Sequence, residues 1–259
     1  MKHIKKKYLF QQKLTERHNE QLKQVGELIK GSDKSLLKKA KTKDLYFTTD
    51  TGFLIRAFPF NYNGKNAVIP IPDLSLVYFD SAYNLNVLRK EKEIELFTKV
   101  IINDDKLSED ATNEIYRYYG FASSCIISLF TSLESFVNHI VPDNKLYKKE
   151  LSHKSEIYNK DQIQKGLSFD EKTKNVLPFF FDNKNFFRHS TLTNQHITNL
   201  KNLRNEIVHP KSESSFQSQE KLINELLKFN YDKTLEAVVK FMNFYIPDYI
   251  SECDCGIDY

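Results

Sequence analysis

Apolar positions along the chain fall into three textures, and each predicts a different kind of element. Residues 1–43 are polar and lysine-rich. Leu14, Leu22, Val25, Leu28 and Ile29 lie near helical spacing, and Gly31-Ser32-Asp33 breaks the run before a second one reaching Lys41, so two solvated helices are expected. Between residues 45 and 78 the period shortens. Phe53-Leu54-Ile55-Arg56-Ala57-Phe58 and Ala67-Val68-Ile69-Pro70-Ile71 are β-rich runs flanking Asn61-Tyr62-Asn63-Gly64, whose Asn-Gly step signals a hairpin. Pro59, Pro70 and Pro72 lack the amide proton that a central strand needs, so the expectation is a small hairpin insert and not a large sheet.

Beyond residue 85 the spacing is helical as far as residue 250. Residues 85–102 carry apolar side chains at 85, 88, 94, 97 and 101; residues 110–141 are richly apolar; residues 194–208 form a third helix. A last helix over 217–245 carries Leu222, Leu226, Phe229, Leu235, Val238, Val239 and Met242. The second and third helices are joined by a polar stretch, 143–174, and by Val176-Leu177-Pro178-Phe179-Phe180-Phe181 and Phe186-Phe187, whose aromatics call for packing on the bundle. The fold class expected is mainly α: a bundle of four or more helices with a small N-terminal β-hairpin insert. The expected divisions are an extension over 1–80, the bundle over 81–250 and a flexible tail over 251–259.

With 40% hydrophobic residues in 259, the chain can bury a core, which excludes disorder. No run approaches the ~18 uninterrupted apolar residues of a membrane span, and the basic start gives way after Tyr8-Leu9-Phe10 to Gln11-Gln12, too short for a signal segment. The expectation is a soluble, cytoplasmic chain with no membrane partner. Cys125, Cys253 and Cys255 make no disulfide framework and include no paired CxxC, so neither metal nor cofactor is expected. A net charge of +4 is a mild bias towards polyanions that decides little. Lys38-Lys39-Ala40-Lys41 reads as a phosphate contact or, by default, as a solvated helix face.

The third helix carries the informative string, Leu200-Lys201-Asn202-Leu203-Arg204-Asn205-Glu206-Ile207-Val208-His209-Pro210. At ~100° per residue Ile197, Leu200, Leu203, Ile207 and Val208 form one apolar stripe, and Arg204 falls inside it. An arginine there needs a carboxylate, a phosphate or an opening to a ligand cleft, because an unpaired buried charge costs several kcal/mol. The second helix offers Glu134 and, one turn on, Asn138, both along the edge of the stripe Ile126, Phe130, Leu133, Val137 and Val141. Glu134 is therefore expected to meet Arg204 and fix its orientation, leaving donors for a ligand; an ordinary surface carboxylate is the other reading.

His209 would lie ~140° from Arg204 on a continuous helix, but Pro210 disfavours the α region for the residue before it. The helix should end near Val208 and free His209 to turn towards Arg204 or towards a second subunit. Imidazole is the side chain whose ordinary pKa lies nearest neutrality, which suits proton transfer.

Arg204-Asn205-Glu206-Ile207-Val208-His209 resembles the RxxxxH signature, in its arginine, polar, three-residue, histidine form, of HEPN domains, the helical family named for higher eukaryotes and prokaryotes nucleotide-binding. Glu134 with Asn138 resembles the acidic, asparagine-containing helix that precedes it in many members. The resemblance spans residues 85–246. It implies a metal-independent endoribonuclease, homodimeric, with a toxin or antiphage-defence role and RNA as substrate, paired with a cognate antitoxin or defence partner. Under it, His209 is general base or acid, Arg204 stabilises charge on the phosphate, Asn205 orients either, and Glu134 and Asn138 support them. Lys201 and Lys211 add RNA contacts, and cleavage leaves a 2′,3′-cyclic phosphate that DNA cannot form. One variant of the family carries a modified tyrosine two positions after the histidine; here Lys211 stands there, which speaks against that control.

Two other classes stay open: a catalytically silent HEPN-like module that binds nucleotide or RNA or assembles a defence complex, and an unrelated helical protein. His189 beside Arg188, and His196, are weaker site candidates than surface histidines. Cys253-Asp254-Cys255 reads as tail sooner than as half a metal site, and Phe179 to Phe181 and Phe186-Phe187 as core sooner than as base-stacking platforms.

Overall fold

A computed structural model describes residues 4–13, 45–49, 52–100, 108–210 and 216–253. The chain is mainly helical with small antiparallel sheets, and divides into two compact units, Lys6–Leu76 and Met1–Lys5 with Val77–Tyr259. The helices expected over residues 14–43, and with them the Lys38 to Lys41 cluster, lie outside the described residues.

The smaller unit is a four-stranded antiparallel sheet: β1 Gln11–Lys13, β2 Leu45–Thr48, β3 Phe53–Tyr62 and β4 Lys65–Pro70. The expected hairpin is β3–β4, closing with Tyr62 opposite Lys65. Asn63 and Gly64 both take positive φ, 48° and 80°, the pairing that matches the right-handed twist of the flanking strands. The Asn61 side chain accepts the Gly64 amide at 3.0 Å. The hairpin is not an isolated insert, however. β3 is the central strand, with β1 opposite residues 53–55 and β2 opposite residues 54–57. Pro59 is compatible with this position because it lies past the end of the β2 pairing, where only β4 adjoins β3 among the described residues.

The larger unit holds α1 Leu74–Val100 (from Val77 on), α2 Glu109–Ile140, β5 Tyr147–Glu150, β6 Ser155–Tyr158, α3 Lys160–Gly166, α4 Phe169–Glu171, a π turn Lys172–Val176, α5 Leu177–Phe180, α6 Leu192–Val208, α7 Gln217–Lys228 and α8 Tyr231–Tyr245. α2 is the central helix. Its buried positions, among them Ala122, Ile126, Phe130, Leu133 and Val137, recur every three or four residues, and it packs against α6, where Ile197, Leu200 and Leu203 are buried, and against α8, where Leu235, Val238 and Phe241 are buried. By length and composition α2 could cross a membrane, and half of its most apolar window is buried in the bundle.

Three sequence expectations are corrected here. α1 begins at Leu74 and not at residue 85, and its buried face is Phe79, Ala82, Asn86, Arg89 and Leu96, while Leu88, Ile94 and Phe97 face solvent. Residue 101 lies outside the described residues. The buried face departs from apolar counting at Arg89. This residue donates from Nη1 to Glu93 (2.7 Å) and from Nε to Asn86 (3.1 Å), and stacks 4.2 Å above the Tyr231 ring. A paired, ring-covered guanidinium can occupy a core face that apolar counting assigns to leucines. The helix expected over 217–245 is two helices, because Asn230 caps α8 by accepting the Lys233 amide at 3.2 Å. The polar connection contains the β5–β6 hairpin, which places Tyr147 opposite Tyr158.

Phe186 meets Phe241 at 5.2 Å and Phe181 meets Tyr245 at 5.5 Å, as the expected packing requires, whereas Phe179 is half exposed. The start of the expected tail is held, with the Lys5 amide donating to the Ser251 carbonyl at 2.9 Å and Ile4 bridged to Glu252. Residues 254–259 lie outside the described residues.

Candidate active site

Three apolar anchors of α6, Ile197, Leu200 and Leu203, fix which way Arg204 points. The guanidinium lies 5.1 Å over the Phe130 ring of α2, its Nη2 is 3.6 Å from Glu134 Oε2, and its Nη1 donates to Asn205 Oδ1 at 3.1 Å. The meeting of Glu134 and Arg204 across the two helices is thus present. At 3.6 Å it is an ion pair without a tight hydrogen bond, and with 26% and 39% of the two side chains exposed it adds at most about 1 kcal/mol of stability. Its consequence is orientation. Nε is enclosed without a partner, while the Nη groups, with four N–H donors and one bond to Asn205, keep donors for an oxyanion at the solvent edge.

Asn138 lies one turn on from Glu134, and its partner is Lys172. The Lys172 ammonium donates to Asn138 Oδ1 at 3.0 Å and to the Gln164 carbonyl at 2.8 Å. Burial pushes its pKa down, and the charge of Glu134 pulls it back up. Lys172 sits at the start of the π turn, a local widening of the helix often found at functional sites. Lys201, expected as an RNA contact, forms an ion pair with Asp170 at 2.7 Å, so its charge is balanced within the fold. Asn138 and Lys201 therefore clamp the connecting segment to the bundle instead of lining the arginine. Lys211 lies outside the described residues.

The helix ends where Pro210 requires. α6 stops at Val208, and His209 leaves it with φ −122° and ψ 63° while its amide still donates to the Asn205 carbonyl at 2.9 Å. The imidazole is exposed and lines a cleft of about 340 Å³ with Glu206, Ser218 and Lys221. Among the described residues no hydrogen bond or ion pair joins His209 to Arg204. One chain thus presents two groups: Arg204 with Asn205, Glu134 and Phe130, and His209 with Glu206.

Of the weaker candidates, the His189 side chain is exposed and His196 lies on α6 next to α8. The His189 carbonyl accepts from Asn194, and His196 Nδ1 faces Thr234 Oγ1 at 3.5 Å. Among the described residues no group of three or more His, Cys, Asp or Glu side chains is placed to hold a metal ion. Sequence reasoning missed Phe130 as the surface under Arg204, because its place on the apolar stripe reads as core alone, and missed Lys172, which sits in a stretch with no periodic signal. Comparison with protein-family models, curated proteins and solved structures returns no significant match.

Proposed function

We propose that this chain is a metal-independent endoribonuclease of the HEPN type, with a toxin or antiphage-defence role, that cleaves RNA through the ribose 2′-hydroxyl. The observation that carries the reading is Arg204. It is laid on Phe130, tethered to Glu134 and Asn205, and keeps donors at the solvent edge, on the helix whose last turn ends in His209. The fold family and the biological role rest on the resemblance of the Arg204 to His209 string alone.

In the reaction, the 2′-oxygen attacks phosphorus, the P–O2′ bond forms, the P–O5′ bond breaks, and a 2′,3′-cyclic phosphate and a 5′-hydroxyl result. Arg204 binds the non-bridging oxygens as charge develops on them. His209 takes the 2′-hydroxyl proton or supplies one to the leaving 5′-oxygen. A single imidazole does one of these at a time, and in-line transfer needs both, so a homodimer in which a second copy brings its own histidine to the cleft completes the apparatus. Sedimentation at micromolar concentration should therefore give a dimer; a monomer sinks the shared-cleft mechanism.

The deciding experiment incubates the purified chain with total RNA and tRNA in EDTA beside Arg204→Ala and His209→Ala. Fragments with cyclic-phosphate ends that vanish in both variants, and a DNA analogue left intact, support the reading. The absence of contact between His209 and Arg204 favours one other reading, a silent RNA-binding or assembly module, and intact RNA with a folded, dimeric wild type would select it.

A further inference from the structure

A second cavity, of about 620 Å³, lies between α6 and α7 and shares Glu206 and Lys221 with the cleft that holds His209. The two cavities adjoin at these residues, and the groove between α6 and α7 thus lies next to the cleft of the imidazole. The volume is in the range that takes a small organic ligand (~300–1,000 Å³). Its chemistry is unlike that of a core defect. Leu203 and the half-buried ring of Phe229 supply an apolar wall, and Asn199, Asn202 and Glu206 carry polar groups with no hydrogen bond or ion pair among the described residues.

His196 adds a fourth group. The Thr234 hydroxyl donates to the Asn230 carbonyl at 2.7 Å, so the 3.5 Å approach of His196 Nδ1 to the same oxygen is met by an Nδ1 proton, a tautomer assigned from this network. Nε2 is then left as an acceptor. The groove offers acceptors at Glu206 and His196 and paired donor–acceptor carboxamides at Asn199 and Asn202. The carboxamides can pair with the edge of any base, but the acceptor-only Glu206 and His196 Nε2 call for donors: the exocyclic amine of adenine supplies two, whereas uracil supplies one N–H and sets two carbonyl oxygens against those acceptors. The aromatic wall suits a stacked base, and the exposed Lys228 at the rim suits a backbone phosphate, while Lys221 is paired with Glu225 at 3.5 Å.

We infer that this groove is a base-reading subsite for single-stranded RNA that selects adenine over uracil next to the cleaved phosphate. The inference deepens the ribonuclease reading and rests on it for the direction of the strand towards His209. The test is fluorescence anisotropy of the full chain with labelled 2′-O-methyl oligoadenylate and oligouridylate, which the proposed reaction cannot cleave. Oligoadenylate should bind more tightly, and the Asn199→Ala/Asn202→Ala double variant should lose roughly five- to a hundredfold of that affinity with little change for oligouridylate. Both positions are exposed on a helix, where alanine favours folding, and Glu206→Gln, which keeps shape and removes the acceptor-only carboxylate, should narrow the preference as well.

Equal affinity for the two oligonucleotides, binding of neither, or a preference that survives in the double variant each overturns the inference. Cleavage by the wild type is scored separately. A chain that prefers oligoadenylate through these amides and cleaves nothing keeps the groove and loses the reaction. One that cleaves without base preference keeps the reaction and loses the groove.

Discussion

Arg204 illustrates how a residue's role is set by what lies beneath it. A guanidinium is a planar fork that can lie on the Phe130 face and still aim separate N–H groups at Glu134 and Asn205, whereas an ammonium is a compact point charge. Arg204→Lys therefore keeps the charge and loses the orientation. It should leave folding intact by circular dichroism and lower the RNA cleavage rate by about a hundredfold or more, the scale of removing one oriented donor from a developing oxyanion. Retention of near wild-type cleavage would mean that charge alone suffices. The presence of this arginine on an apolar stripe, and its approach to Glu134, were legible from helical spacing. The diversion of Asn138 to Lys172 was not, because the π turn that brings Lys172 in follows from no local pattern.

Among the elements, the α7–α8 break shows how a single cap overrides periodicity. The apolar spacing from residue 217 to 245 is continuous enough to read as one helix, yet Phe229 is extended (ψ 135°) and Asn230 accepts the Lys233 amide. The break also places Phe229 on the wall of the cavity beside α6. Asn230→Ala removes the cap and should cost about 1 kcal/mol in urea denaturation. An unchanged midpoint would show that tertiary packing of Leu235 and Val238 alone holds the start of α8. On the β3–β4 side, the Asn-Gly turn was readable because it acts through its own two residues, but the pairing of β1 and β2 with β3 joins segments far apart in sequence.

Over the whole molecule, the bundle buries groups that ionise only at high pH. Burial pushes the Cys125 thiol from 9.0 up to about 12 and the Tyr245 phenol from 10.0 up to about 12, and it raises Tyr118 and Tyr231 too. Each has a folded pKa above its unfolded one, so the unfolded chain releases these protons first. Their stabilising contribution is complete below pH 9 and is lost as pH rises towards about 12. The melting temperature, followed by helical circular dichroism, should fall across that window. A melting temperature that stays constant there would show these groups to be open to solvent.

What the sequence determined by itself is whatever acts over one turn of helix or one turn of hairpin. The long apolar face of α2, the end of α6 before Pro210, the Asn63-Gly64 turn and the demand of Arg204 for a carboxylate are all of that kind. Tertiary structure decided what depends on groups distant in the chain. Arg89 takes a core face of α1 because Tyr118 and Tyr231 come to it from other helices, and Lys201 is neutralised by Asp170. His209 opens onto a groove with Glu206 because α7 passes beside the end of α6. The physical reason is the same in each case: periodicity reports which face of an element is apolar, while the partner that satisfies a charge is supplied only when a second element packs against that face.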